Sequence, residues 1–274
     1  MSDTPQLTPA LFTLLAGLVE ERTGMHYAER DSALFGAKLL ARVAEAGFAS
    51  ALDYYYFLRY DDADRREFDS LAEMLTVHET YFFREAEQLR ALCDQVLRPV
   101  VAAGGRARVW CAAASTGEEP LTLAMLLDDR GMLDSVDILA TDISGRALQR
   151  AEAGRYGGRS LRALEGRQVA QWLAEAGADR VVRPPLRRTL RYQRLNLMDA
   201  PAVAKLGTFH AILCRNVLIY FSDATVRQLL ACLAGALCPG GVILVGASES
   251  LLRFGTMLVC EERGGAFFYR SAGS

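Results

Sequence analysis

One stretch, residues 108–120, restricts the fold more than any other: Arg-Val-Trp-Cys-Ala-Ala-Ala-Ser-Thr-Gly-Glu-Glu-Pro. Val109, Trp110 and Cys111 read as the end of a buried strand. Small residues, Ala112 to Ser115, lead through Thr116 and Gly117 into an apolar helix with Leu121, Leu123, Ala124, Met125, Leu126 and Leu127. Strand, small-residue turn and helix N-terminus make the ligand-binding corner of a doubly wound α/β fold. This corner has neither Gly-x-Gly-x-x-Gly nor a Lys-Ser/Thr pair to hold phosphates. It carries Glu118 and Glu119 at the helix start instead. Carboxylates there repel a pyrophosphate and suit a ligand with an ammonium or sulfonium centre. Equally, they complement the helix dipole of an ordinary strand–helix connection.

Strands and helices alternate from Arg108 onwards. Val136–Ala140 is an apolar run ending in Thr141-Asp142, and Ser144 caps a helix through Ala151. Asp142 lies about 25 residues past Gly117, near the ~20-residue interval at which an acidic residue meets ribose hydroxyls in dinucleotide folds. Residues 157–196 interrupt the alternation. Leu161–Ala176 reads as a helix, Arg183-Pro-Pro-Leu-Arg-Arg as a rigid exposed turn, and Thr189–Leu195 as a strand ending at Asn196. Phe209–Cys214 is a buried strand that opens into Arg215-Asn-Val-Leu-Ile-Tyr-Phe221. A helix over about 222–237, a Pro239-Gly-Gly241 turn and a strand Val242–Val245 follow. Two last strands, near 257–260 and 266–269, close the chain.

The N-terminal third reads as helices only. Thr8 caps the first, with Pro9 at its first position and Gly24 beyond its end; Leu11, Leu14, Leu15, Leu18 and Val19 form its expected buried stripe. A second runs from about Ser32 to Ala46, a third, capped by Ser50, carries Tyr54, Tyr55, Phe57 and Leu58, and a fourth covers about Ala63 to Leu75. Together they predict a small bundle. Lys38 and Arg42, four apart, share a face of the second helix, which serves solubility as well as docking. An aromatic connector, Leu75 to Glu85, and a helix near Glu87–Leu97 lead to the first strand.

Charge and cysteine usage remove several classes. With 31 Lys and Arg against 33 Asp and Glu, the chain is not a generic nucleic-acid binder. The balance is uneven: residues before Thr80 are mostly acidic, and the stretch 146–194 is rich in arginine, suited to solvent or to an acidic partner. The six cysteines lack Cys-x-x-Cys spacing and lie mostly in apolar runs, as reduced core residues of a cytoplasmic protein. The three histidines form no metal set. No apolar run approaches membrane-spanning length.

Taken together, the order of elements resembles the class I S-adenosylmethionine-dependent methyltransferase fold: a doubly wound, mostly parallel seven-stranded sheet, here with an N-terminal all-helical domain. Four motifs narrow the likeness. Trp110-Cys-Ala-Ala-Ala-Ser-Thr-Gly-Glu-Glu-Pro120, Thr76-Val-His-Glu-Thr-Tyr-Phe-Phe-Arg84, Ala140-Thr-Asp-Ile-Ser144 and Cys214-Arg-Asn-Val-Leu-Ile-Tyr-Phe221 resemble those of the CheR family, the chemotaxis receptor glutamate methyltransferases. Gly246-Ala-Ser-Glu-Ser250 fits as well. The resemblance covers nearly the whole chain. It implies a helical domain over 1–76, a connector and helix over 77–105, and a methyltransferase domain over 106–274 with a reduced β-subdomain near 179–195.

The resemblance also implies roles. Asp142 would hold the ribose hydroxyls, Glu119 the amino-acid end of S-adenosylmethionine, and Asn196 and Leu197 the adenine side. His78, Thr80 and Arg84 would come over the cofactor from the connector. Arg215 and Asn216 would close the pocket, with Tyr220 near the transferring methyl. Arg84 and Tyr220 are the expected catalytic residues: a glutamate carboxylate is ionised at neutral pH and needs orientation rather than a base, and Arg84 or Arg215 can orient it. S-adenosylhomocysteine would be the product. His78 stands where the family usually has Asn. The receptor-docking helix of well-studied members is basic, whereas here it carries only Lys38 and Arg42. Arg183-Pro-Pro-Leu replaces the glycine-containing loop that binds a receptor's C-terminal pentapeptide in some members, so no such tether is expected. The implied partner is a methyl-accepting chemotaxis receptor, met by a monomer without membrane insertion. The alternatives are the same chemistry on another signalling protein, and a non-catalytic S-adenosylmethionine-binding regulatory module. A nucleic-acid amino-methyltransferase is disfavoured, because Arg-Asn-Val-Leu-Ile-Tyr replaces the Pro-Pro-Tyr/Phe of those enzymes.

Overall fold

The computed structural model describes residues 7–272. The chain divides into two compact units. One takes the residues up to Val77 together with Tyr220–Thr225; the other takes His78–Ile219 and the residues from Val226 on.

The smaller unit is helical. Its helices are Pro9–Thr23, Ser32–Glu45, Ala51–Tyr56, which continues through a π-helical turn Phe57–Asp61, and Arg66–Leu75. Local chemistry sets their limits. The Leu11 N–H donates to the Thr8 hydroxyl, Pro9 fits the first turn, and Gly24 ends the helix in the left-handed conformation. Ser50 caps the third helix by accepting from the Asp53 N–H at 3.1 Å. Phe12, Leu15, Val19, Phe35, Leu39, Tyr54, Leu71 and Leu75 fill one core. The buried stripe of the first helix differs from the expected one: Leu14 is 43% exposed and Leu11 only half-buried, because Phe12, Leu15 and Val19 occupy the i, i+3, i+7 face.

Among the described residues the larger unit has ten strands: β1 Ala107–Ala112, β2 Val136–Asp142, β3 Arg155–Tyr156, β4 Leu173–Ala176, β5 Asp179–Val182, β6 Leu190–Arg194, β7 Phe209–Leu213, β8 Leu237–Leu244, β9 Leu258–Arg263 and β10 Ala266–Ser271. Seven form one sheet in the order β6-β2-β1-β7-β8-β10-β9. The first five in that order run parallel, and β10 pairs antiparallel with both β8 and β9. β1 and β2 are buried at all but one position each, as strands covered on both faces require. The helices Glu118–Asp128, Gly145–Ala153 and Asp223–Gly235 follow β1, β2 and β7. The strand order reverses between β1 and β7, so a crevice opens at their C-terminal ends.

The insertion differs from the sequence reading. The small sheet, ordered β3-β5-β4, is built from residues 155–182, while 190–194 is the edge strand β6 of the main sheet. The expected helix 161–176 is broken: Gly166–Trp172 is helical, and Leu173–Ala176 is β4. A two-residue hairpin at Gly177-Ala178, with Gly177 at φ 71°, pairs β4 with β5. Trp172 ends the helix by donating its indole N–H to Asp128 at 3.0 Å. The exposed turn expected at 183–188 contains a short helix, Pro184–Arg187, whose Leu186 is buried.

Candidate functional site

The site grows from the loop between β1 and the helix Glu118–Asp128. Ala113, Ser115 and Gly117 take positive φ of 62°, 52° and 92° in five residues. A Cβ on Gly117 would lie 2.6 Å from the Ala151 Cβ, so both conformation and space require glycine there. The loop is held by its neighbour strand: the Ala114 N–H donates to the Thr141 carbonyl at 2.8 Å, and the Ser115 N–H to Asp142 Oδ2 at 2.7 Å. Asp142 Oδ1 accepts from the Ser144 N–H at 2.9 Å, which starts the next helix. The residues after β6 come to the same end of the sheet, because the Leu195 N–H donates to the Asp142 carbonyl at 2.9 Å. Leu197 is buried there, and Asn196 accepts from the Met198 N–H at 3.0 Å through Oδ1.

Glu118 and Glu119 do different work. Glu118 is buried and satisfied by two hydroxyls, Thr116 at 2.6 Å and Ser160 at 2.7 Å. Glu119 turns to the crevice, where its Oε2 accepts from Arg215 Nη1 at 2.7 Å. Its Oε1 has no hydrogen-bond partner among the described residues, although the side chain is only 15% exposed. Burial pushes the Glu119 carboxyl above its ordinary value, and the Arg215 charge offsets part of that push. An unpartnered oxygen on a largely buried side chain fits a ligand ammonium.

Arg215 is the hub of the crevice. Its side chain is 1% exposed. It donates to Glu119, to Glu85 Oε2 at 3.0 Å, to the Arg84 carbonyl at 3.0 Å and to Gln88 Oε1 at 3.3 Å. Glu85 also accepts from the Ala247 N–H at 2.9 Å. Burial would raise the Glu85 carboxyl, but that N–H and the Arg215 guanidinium outweigh it and hold the group below its ordinary value. Glu249 closes the far side. Its Oε2 accepts from the N–H of Asn216 at 2.6 Å and of Gly246 at 2.9 Å, and its Oε1 from the N–H of Leu218 at 2.9 Å. One carboxylate thus clamps the loops after β7 and β8 together, with Asn216 at φ 58°.

The structure therefore brings Asp142, Glu119, Asn196, Leu197, Arg215 and Asn216 to one edge of the sheet. The connector joins them through His78, whose Nδ1 lies 3.1 Å from the Ser115 hydroxyl, and through the Arg84 carbonyl. The Arg84 guanidinium donates to the Glu79 carbonyl at 2.8 Å, and Thr80 lies half-buried in the same connector. Tyr220 belongs to the helical unit, where its carbonyl accepts from the His26 N–H at 2.8 Å.

Lys38 and Arg42 do not form the open pair expected for docking. Arg42 makes a two-pronged bond to Glu67, at 2.7 and 2.5 Å, shared with the Tyr54 hydroxyl, and Lys38 donates to the Leu75 carbonyl at 3.3 Å. Both are drawn into their own bundle because the helix Arg66–Leu75 presents acceptors to their face. The sequence reading gave no role to Glu85, Gln88 or Glu249, although Glu249 stands in the Gly246–Ser250 stretch that it singled out. The only local signal was position: Glu85 follows Arg84, and Glu249 stands among small residues after a strand.

Comparison with known proteins agrees with this geometry. Residues 78–262 match the family described as CheR methyltransferase, SAM binding domain. The chain is 33% identical over 243 residues to chemotaxis protein methyltransferase 2 of Vibrio cholerae, covering 86% of this chain and 84% of that one. It is 33% identical over 250 residues to chemotaxis protein methyltransferase 1 of Pseudomonas aeruginosa, covering 88% and 90%. A chemotaxis protein methyltransferase of Klebsiella aerogenes is 33% identical over 257 residues, covering 91% and 86%. The cofactor of such a domain is S-adenosylmethionine. The chain belongs to the CheR family of S-adenosylmethionine-dependent methyltransferases.

Proposed function

We propose that the protein methylates glutamate side chains on the cytoplasmic helices of chemoreceptors, giving glutamate methyl esters for chemotactic adaptation. The observation that carries this reading is the crevice at β1 and β7, where Glu119 and Asp142 offer two carboxylates to a cationic nucleoside and no phosphate cradle. The relatives' names support the chemotactic setting.

S-adenosylmethionine supplies a methyl on a positively charged sulfur, and the C–S bonding pair leaves with that sulfur as an acceptor oxygen bonds the methyl. Glu119 receives the ammonium on its open oxygen, and Asp142, at the C-terminal end of β2, receives the ribose hydroxyls. Arg215 holds Glu119 and donates also to Glu85, the Arg84 carbonyl and Gln88. Orientation of the substrate carboxylate therefore falls to Arg84, whose guanidinium has one described hydrogen bond, to a neutral carbonyl. No general base is required, because the acceptor is already a carboxylate at neutral pH. Tyr220 is assigned to the transfer step, so Tyr220→Phe lowers turnover more than cofactor affinity.

The deciding experiment is transfer of labelled methyl from S-adenosylmethionine to receptor cytoplasmic fragments, read as methanol released by mild base. Base-labile label establishes a carboxyl ester. Label stable to base, or no label while cofactor binding is intact, refutes the glutamate reading and favours another signalling protein or a regulatory module. The reading expects no tight binding of a C-terminal receptor pentapeptide by calorimetry, and a monomer acting in the cytoplasm. No helix among the described residues is long and apolar enough to cross a membrane.

A further inference from the structure

Arg84 is held at both ends by the backbone of its own connector. Its N–H donates to the Tyr81 carbonyl at 3.4 Å, and its guanidinium to the Glu79 carbonyl at 2.8 Å. The side chains of those two residues meet one partner, Arg162 of the insertion that carries the small sheet. Arg162 Nη2 donates to Glu79 Oε1 at 2.8 Å, and its guanidinium carbon lies 3.7 Å from the centre of the Tyr81 ring. The Arg84 guanidinium stands 6.0 Å from the centre of the same ring. One arginine thus grips both residues whose carbonyls place the other. Two more arginines of the insertion pair inside it, Arg155 with Asp179 and Arg180 with Glu175. Arg162 instead reaches out to the connector, across 83 positions of sequence.

The next two connector residues lie on the same insertion. The Phe82 N–H donates to the Ser160 carbonyl at 3.0 Å, and the Phe82 ring meets Tyr156 edge-on at 4.8 Å. Phe83 stacks on Trp172 at 6.1 Å, and its N–H donates to the Thr122 hydroxyl oxygen at 3.0 Å. Phe83 and Glu85 take φ of 62° and 51° on either side of Arg84, a left-handed backbone that residues other than glycine enter at a cost. Such a bend keeps its shape only where its surroundings fix it. Phe82 and Phe83 are buried and anchor one end of the strap. Glu79 and Arg162 are exposed, and their pair closes the other end.

We infer that Arg162 is a positioning residue for methyl transfer: by holding Glu79 and Tyr81 it fixes the two carbonyls that aim Arg84. The choice of Arg84 as the group to be aimed rests on the glutamate reading above. Arg162 acts through Arg84 and needs no contact with the acceptor. An exposed ion pair adds little to the stability of a fold, and a guanidinium over a partly exposed ring adds only modestly. Placement is worth more in a reaction, where a displacement of about 1 Å can cost about a hundredfold in rate. A large change in transfer with a small change in melting temperature therefore marks positioning and separates it from a surface latch.

The test uses the full chain, a receptor cytoplasmic fragment as acceptor, and the variants Arg162→Met, Arg162→Lys, Arg84→Met and Arg162→Met with Arg84→Met. Arg162→Met is expected to lower kcat/KM for the fragment about tenfold or more. Its affinity for S-adenosylhomocysteine stays within about threefold and its melting temperature within about 4 °C of the parent. Arg162→Lys keeps the ion pair but loses the planar stack, and falls between. In the Arg84→Met background the loss from Arg162→Met disappears. An unchanged kcat/KM, or the same loss with and without Arg84, overturns the inference. Hydrogen exchange over 79–84 needs no acceptor: it quickens in Arg162→Met, and unchanged exchange overturns the inference whatever protein is methylated. A parent that gives no base-labile label, with exchange still quickened by Arg162→Met, sinks the glutamate chemistry alone.

Discussion

Replacing Arg215 by Met tests the hub directly. The side chain is 1% exposed and donates to two carboxylates, one carbonyl and one amide oxygen. Met fills most of the space and removes the charge. Glu119, 15% exposed, and Glu85, 23% exposed, then face each other without their cation. Breaking a buried ion pair from one side costs about 3–5 kcal/mol. In a folding unit of this size each kcal/mol lowers the melting temperature by about 2–4 °C, so a fall of roughly 6–20 °C is expected. Much of that cost is the stranded Glu119 carboxylate. Adding Glu119→Gln to Arg215→Met should therefore recover about 1 kcal/mol or more relative to the sum of the single effects. Arg215→Lys keeps the charge but not the planar fork, and should fall between the parent and Met. Urea unfolding gives the free energies, and calorimetry with S-adenosylhomocysteine reports Glu119. A loss under about 1 kcal/mol for Arg215→Met, or strict additivity in the double variant, would refute the hub assignment.

Glu249→Gln replaces one acceptor oxygen by an amide that faces backbone N–H groups; at least one charged hydrogen bond goes, for about 1.5–3 kcal/mol by urea unfolding, with weaker cofactor binding by calorimetry. Gly117→Ala forces a side chain into φ 92° and against Ala151, for about 2–4 kcal/mol and a loss of cofactor affinity; adding Ala151→Gly restores only the steric part. Asp94 is held down to about 2 by hydrogen bonds from Arg130 and Arg98, overcoming its burial. A depressed carboxyl stabilises above its unfolded value of 3.8 and stops doing so as pH falls through about 2. Asp94→Asn should cost about 1 kcal/mol at neutral pH, because its side chain is 35% exposed and solvent screens the pair. The difference between Asn and parent should vanish near pH 2, as read by unfolding across pH.

Some of this was fixed by the order of residues alone. Near-continuous apolar runs separated by helix-length segments leave little choice but a parallel sheet covered on both faces. The loop Ala112–Gly117 announces a close backbone approach through its small side chains, and Asp142 announces itself by standing at a strand's end. Caps at Thr8 and Ser50 are local chemistry, which is why those helix starts were legible. The break in the expected helix 161–176 was not, because Leu173–Ala176 becomes a strand only by pairing with β5, a partner that the helical pattern does not reveal.

Tertiary structure decided what charge does. Lys38 and Arg42 look alike to Arg146 and Arg150 in sequence, each a basic pair at i, i+4. In the fold, the first pair meets Leu75 and Glu67, 37 and 25 residues away, and is absorbed. The Arg150 side chain meets no partner among the described residues and stays on the surface. Glu85, Gln88 and Glu249 were given no role for the same reason: their partners are Arg215 and the loops after β7 and β8, 127 to 162 residues away for the first two. A side chain's type is written locally. Its burial and its counter-charge are set by segments far along the chain, so only the packed structure assigns its role.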